Sequence, residues 1–355
     1  MLVRAASVAL VLAALVLATL LPAGATTSSV QPRAVRPGDV VRLESVGAVP
    51  PHLAGEFEEA AGFARRPDGS WLVFDRRRHA VFVIDAARTT VTRLVDIGYE
   101  RGRLLRPTAF DVRPDGTFLV ADAPGLQPRV SVFEARGTLL NYFEVRGTSR
   151  PRVAIGNVVL NGIASARLLD DTLLMNMPEH GGLVSEYSIA GTPLRTFGEL
   201  RPTGHEANPD VHLAMNAALP VPAPDGHIYV VFQAGVPAFR KYTREGTLVF
   251  ERLLQSRQLD PHVMTMPTEW PMRTVDGLTF PFVTPLVRTA AVDPRGNLWI
   301  ATITSHVYVF DPEGEKLATY QLIGAGPLMP DALWFAPDGR LLVAPGLYEF
   351  VGSGL

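Results

Sequence analysis

A short turn motif recurs along the chain and limits the architectures open to it. It reads Arg-Pro-Asp-Gly at residues 66–69 and 113–116, Ala-Pro-Asp-Gly at 223–226 and 336–339, and Asp-Pro-Arg-Gly at 293–296. Each copy is followed by a short apolar run: WLVFD, FLVAD, IYVVF, LWIAT and LLVAP. A degenerate copy at 168–171, followed by TLLMN, fills the one wide gap. Proline presets the first turn position, aspartate bonds back to the backbone, and glycine accepts the positive φ that closes a hairpin. Six copies of one hairpin imply one supersecondary unit repeated along the chain.

The second unit shows the full pattern. Strands are predicted at 108–112, 118–122, 129–134 and 139–145, with turns at Pro114-Asp115-Gly116 and Arg136-Gly137. The third strand recurs as AVFVID, RVSVFE, LVSEYS, AFRKYT and HVYVFD, mostly with the alternation of a half-buried strand. No helical periodicity is evident beyond residue 25. With the 116–226 gap divided into two units by the degenerate copy, the longest unit separates Gly226 from Gly296, and the glycines of the second turn (137, 191, 246, 314) also have their widest gap last. An insertion is therefore expected at about 255–286, between the fourth and fifth units. The last unit ends too soon, with only 347–351 after LLVAP, and residues 40–46 (VVRLESV) can supply the missing strand. Closure of this kind removes open sheet edges. The expectation is an all-β, six-bladed β-propeller of four-stranded antiparallel blades, with an N-terminal strand closing the last blade.

Residues 1–25 read as a secretory signal peptide. Arg4 precedes an uncharged apolar run at 5–21, and Ala23-Gly24-Ala25 is a small-x-small cleavage signal. Residues 26–39 are then a flexible segment and 40–355 a single domain. The expected location is periplasmic or extracellular, with no stable membrane span after cleavage. The chain has no cysteine, so its stability must come from apolar burial, which a 47% hydrophobic composition can supply. A net charge of −2 gives no field to attract nucleic acid. Arginine far outnumbers lysine, present only as Lys241 and Lys316, and this reads as genome composition rather than function. A monomer is expected.

Residues 102–145 resemble an NHL repeat. Pro107, Asp115-Gly116, Val120-Ala121-Asp122, Arg129, Phe133 and Gly137 match its pattern, and the other units match more loosely. The resemblance implies a propeller and leaves function open, because such propellers include binding scaffolds and a few enzymes.

Ligands of propellers are expected on the face carrying the long connections, opposite the Pro-Asp-Gly turns. Counting back from each turn glycine places Glu59, Arg106, Asn161, Asn216, Arg288 and Asp331 around the channel mouth. A weaker resemblance to the gluconolactonase and senescence-marker propellers implies a divalent cation held by Glu, Asn and Asp. Glu59 and Asn161 resemble two of those ligands. Arg288 stands where a carboxylate is expected, and Asp331 falls one unit later. A second candidate metal site is the loop 204–212, where His205 and His212 flank Glu206 and Asp210. His180, in a nearby loop, could join it. The run Arg76-Arg77-Arg78-His79, with Arg77 at its centre, suits capture of an anionic group. The insertion, rich in Met, Trp and Phe, forms either a lid or a rim-packed loop. No phosphate loop, nucleophile elbow or dinucleotide fingerprint occurs. Two functions follow from these residues. One is an exported binding or scaffold protein for a small molecule, peptide, glycan or exported partner, with no certain cofactor. The other is a metal-dependent lactonase-like or esterase-like hydrolase.

Overall fold

The repeated turns form as their residue types require. In the computed structural model of the protein, Gly116 takes φ +86° and donates to the Arg113 carbonyl at 2.9 Å, while Asp115 accepts from the Thr117 N–H at 2.8 Å. Residues 39–124, 127–146, 153–156, 158–160, 162–275 and 277–351 are described. The leader and Asn161 lie outside them. No described helix is long and apolar enough to cross a membrane.

The described strands form seven sheets. Four are simple antiparallel meanders. Sheet 1 runs Ala60–Arg65, Trp71–Asp75, Ala80–Ile84, Val91–Val95, and sheet 2 runs Ala109–Val112, Phe118–Asp122, Arg129–Phe133, Leu139–Glu144. Sheet 3 runs Ser165–Leu169, Thr172–Asn176, Val184–Ser188, Pro193–Phe197, and sheet 4 runs Ala218–Pro222, Ile228–Phe232, Ala238–Tyr242, Leu248–Leu253. Sheet 5 repeats the meander with Val287–Val292, Leu298–Thr302, Val307–Phe310 and Lys316–Ile323, and Val40–Glu44 is added parallel to its outer strand. Sheet 6 has Ala332–Phe335, Leu341–Ala344 and Tyr348–Phe350, completed by Gly47–Ala48. The N-terminal region thus does two things where one was expected. Gly47–Ala48 supplies the missing strand, and most of 40–46 lies on the neighbouring sheet.

The first strand of each of these sheets packs against the first strand of the next, and that of sheet 6 returns to that of sheet 1. Apolar side chains fill every junction. Phe74 stacks on Phe110, which meets Phe118, between sheets 1 and 2, and Trp71 shares a buried cluster with Leu342 and Leu347 between sheets 6 and 1. Burial on both faces explains why the second strands read as unbroken apolar runs rather than alternating ones. The architecture is a β-propeller, nearly all-β.

The seventh sheet departs from the repeat. It joins Val158–Leu160 and Val153–Ile155, from the connection between sheets 2 and 3, to Leu278–Val283 and Met272–Val275, from the insertion. Helix Pro209–Met215 packs on it through Val211, Ala214 and Met215. Helices Pro51–Ala54 and Asp260–Met264 are also short. The expectation of no helix therefore fails at three connections, where too few residues are involved to leave a period in the sequence.

Candidate functional site

The inner strands surround a cavity of about 640 Å³. Six charged residues line it: Glu59, Arg76, Asp111, Arg167, Arg288 and Asp331. Four of them, Glu59, Arg76, Arg288 and Asp331, form two ion pairs. They come from sheets 1, 5 and 6, which are neighbours in the ring. The Glu59 carboxylate accepts from the Arg76 guanidinium, and Asp331 accepts from Arg288. All four side chains are about three-quarters buried, between 22% and 29% exposed.

Local structure explains each position. Asp75, fully buried at the end of the second strand of sheet 1, accepts from the backbone N–H groups of Glu58 at 2.7 Å, Glu59 at 3.2 Å and Arg78 at 3.0 Å. One carboxylate thereby pins both the segment bearing Glu59 and the loop bearing Arg76. Asp122 does the same work in sheet 2, accepting from Leu105 N–H at 2.7 Å and clamped by Arg129. Arg288 sits where the register between Val287–Val292 and Leu298–Thr302 shifts. A bulge leaves one residue unpaired and re-aims its side chain. Asp331 immediately precedes the first strand of sheet 6, and its N–H donates to the Ala344 carbonyl at 2.8 Å. Burial pushes the Asp331 carboxyl above the usual carboxylate range; Arg288 and Arg76 oppose this, and Glu59 adds to it. Asp331 therefore feels both arginines, and the four charges form one coupled group.

Farther in, Arg167 reaches from sheet 3 to the carbonyls of Phe110 in sheet 2 at 3.4 Å and Ala290 in sheet 5 at 3.5 Å. Asp111, 3.7 Å from Arg167, accepts from the Leu168 N–H at 2.7 Å. Burial raises the Asp111 carboxyl, and Arg167 opposes that. First strands have a neighbour on one side only, so their other backbone edge needs partners. Arg167 and Asp111 supply some of them and bolt three sheets together.

Glu59, Arg288 and Asp331 thus share one cavity, and the other candidates lie elsewhere. Asn216 is fully buried; its side chain accepts from the Arg201 N–H at 2.9 Å and donates to the carbonyls of Arg201 and His212. Arg106 is exposed and off the cavity, with its backbone at φ +58°. Arg77 is exposed, while its neighbour Arg76 turns inward. His180 bonds the Arg146 carbonyl at 2.8 Å. Asn161 falls outside the described residues. Sequence reasoning missed Thr108 and Gln233, which also line the cavity, and it named Arg76 only as part of a basic run centred on Arg77. Arg76 had a signal, because it directly follows the strand-ending Asp75.

At both expected metal sites the described side chains are engaged with protein partners, and Asn161 lies outside the described residues. In the cavity, each carboxylate already holds a guanidinium, which opposes a divalent cation. In the loop 204–212, helix Pro209–Met215 carries Asp210 and His212 while His205 and Glu206 precede it, and the two histidines have separate partners. His205 accepts from the Trp270 indole N–H at 3.4 Å, and His212 bonds the Thr203 hydroxyl at 2.8 Å. No group of three His, Asp or Glu suited to a metal occurs among the described residues.

No family model matches the sequence, and no curated protein matches it. Solved structures do resemble it. A streptogramin B lyase is 11% identical with a TM-score of 0.49, covering 81% of this chain and 76% of that one. A structural genomics protein of unknown function from Bacteroides thetaiotaomicron VPI-5482 is 16% identical with a TM-score of 0.49, covering 82% and 68%. The WD40 β-propeller domain of Doa1 is 9% identical with a TM-score of 0.46, covering 84% and 94%. At these identities nothing of their chemistry carries over to this chain.

Proposed function

We propose that the protein is an exported, six-bladed β-propeller that binds a small molecule, peptide or glycan in its central cavity. Six blades are supported by the six sheets whose first strands touch in cyclic order, the seventh sheet being built from connections. Export is supported by the leader-like residues 1–25. The observation that carries binding is the group Glu59, Arg76, Arg288 and Asp331 on one cavity. Ion pairs withdrawn from water are weak contributors to stability, because desolvation offsets their attraction. Apolar contacts already fill the sheet junctions, so a recognition role accounts for charge kept in this position. The hydrolase reading has no comparable support, since both carboxylates it would use are paired with arginine.

The test is a thermal-shift screen of the chain from residue 26 against small molecules, peptides and glycans. The expected result is a ligand that raises the melting temperature of the wild type and loses at least tenfold in affinity with Asp331→Asn, whose circular dichroism stays native. A screen without ligands, or ligands indifferent to Asp331→Asn and Glu59→Gln, contradicts the proposal. A stoichiometric cation removed by Glu59→Gln would restore the hydrolase.

A further inference from the structure

We infer that the ligand of this cavity is a neutral saccharide, held by hydroxyl groups that bridge ion pairs which stay intact. The inference rests on the binding reading above and narrows it to one chemical class.

The three guanidinium and three carboxylate groups that line the cavity sum to no net charge. A ligand with a single charge would upset this balance even if it bound only guanidinium N–H groups that the pairs leave unused. That leaves an uncompensated charge in a site already about three-quarters buried, which is strongly unfavourable. A hydroxyl avoids this, since it donates and accepts at once. It can donate to a carboxylate oxygen and accept from the adjacent guanidinium without separating the pair. Hydrogen bonds to charged groups are also stronger than neutral ones, and vicinal hydroxyls can repeat the arrangement along both pairs.

The uncharged part of the lining offers the same chemistry. Among the described residues the Gln233 carboxamide has no side-chain hydrogen-bond partner, so its donors and its acceptor face the cavity and are available to a ligand. Thr108 bonds only weakly, to the Ala121 carbonyl at 3.5 Å. The first strand of each blade also leaves one backbone edge unpaired by any other strand, and alternating N–H and C=O groups suit a ligand rich in hydroxyls. Ala61, Ala164, Ala290 and Ala332 keep the walls shallow and present apolar surface to sugar C–H groups. The volume of about 640 Å³ lies within the span of small-ligand pockets.

The experiment is isothermal titration of the chain from residue 26 with glucose, galactose, mannose, maltose and cellobiose, beside glucuronate and glucosamine as charged counterparts. The expected result is binding of at least one neutral sugar, weakened at least tenfold by Gln233→Ala and by Asp331→Asn, with its charged counterpart at least tenfold weaker. Gln233→Ala leaves the ion pairs untouched, so it stays informative if Asp331→Asn fails to fold. Neutral sugars that do not bind, that bind no better than charged ones, or that ignore Gln233→Ala overturn the inference. If a non-saccharide ligand from the thermal-shift screen responds to Asp331→Asn, the saccharide falls and the binding reading stands. If no ligand of any class responds, both fall.

Discussion

At Glu186 a single buried carboxylate joins two neighbouring blades. It receives the Arg195 guanidinium at 2.7 Å from its own sheet, the Arg244 guanidinium at 2.6 Å from sheet 4, and the Thr172 hydroxyl at 2.8 Å. Burial opposes its ionisation, but hydrogen bonds from Arg244, Arg195 and Thr172 outweigh that and hold its pKa at about 2. A folded pKa below the usual value of 4.5 stabilises the protein above that pH, and the gain is lost as pH falls toward 2. Glu186→Gln should cost about 2 kcal/mol at pH 7. Urea unfolding should show the gap between variant and wild type narrowing from pH 4.5 toward pH 2. Glu349 holds Arg88 and Arg340 in the same way between sheets 1 and 6. The arginine excess therefore has structural uses that composition alone did not reveal. The sequence carried these residues in plain view, yet their partners lie on other repeats, and nothing in the spacing pairs them. Arg76 and Arg77 make the same point, as adjacent letters with opposite fates.

The hairpins were legible because their turns need particular residues. Gly116 and Gly339 both have φ near +80°, yet their surroundings differ. A Cβ on Gly339 would meet nothing within 4 Å, whereas one on Gly116 would lie 2.8 Å from the Ala135 Cβ. Gly339→Ala should therefore cost about 1 kcal/mol for the left-handed backbone alone. Gly116→Ala should cost about 2–3 kcal/mol, because crowding adds to the backbone term. Chemical denaturation should give these differences as midpoint shifts at constant slope. The third hairpin explains its own degeneracy, since Asp170 takes φ +47° in a turn too short for the Pro-Asp-Gly pattern. The seventh sheet was invisible in the sequence. Val153–Ile155 has three residues and pairs with Leu278–Val283 from a distant part of the chain. The insertion was located by its length, but its partner could not be.

For the whole molecule, closure depends on a few N-terminal residues. Val46 N–H donates to the Glu349 carbonyl at 2.8 Å, Val49 N–H to the Leu347 carbonyl at 3.0 Å, and Arg88 to the Ala48 carbonyl at 3.1 Å. A chain starting at residue 50 loses these bonds and the buried Val49. Its melting temperature should fall by about 10 °C. A chain starting at residue 46 loses only the parallel strand on sheet 5 and should fall by less than half as much. Equal losses would mean that Val40–Glu44, rather than Gly47–Ala48, closes the ring. The central claim is that the cavity lined by Glu59, Arg76, Arg288 and Asp331 is the binding site. Its most direct test is a crystal structure with the ligand selected by the thermal-shift screen. The account predicts density within hydrogen-bonding distance of Arg76, Arg288 or Gln233 with both ion pairs intact. Density on the insertion or on the Pro-Asp-Gly turn face, with the cavity empty, would contradict it.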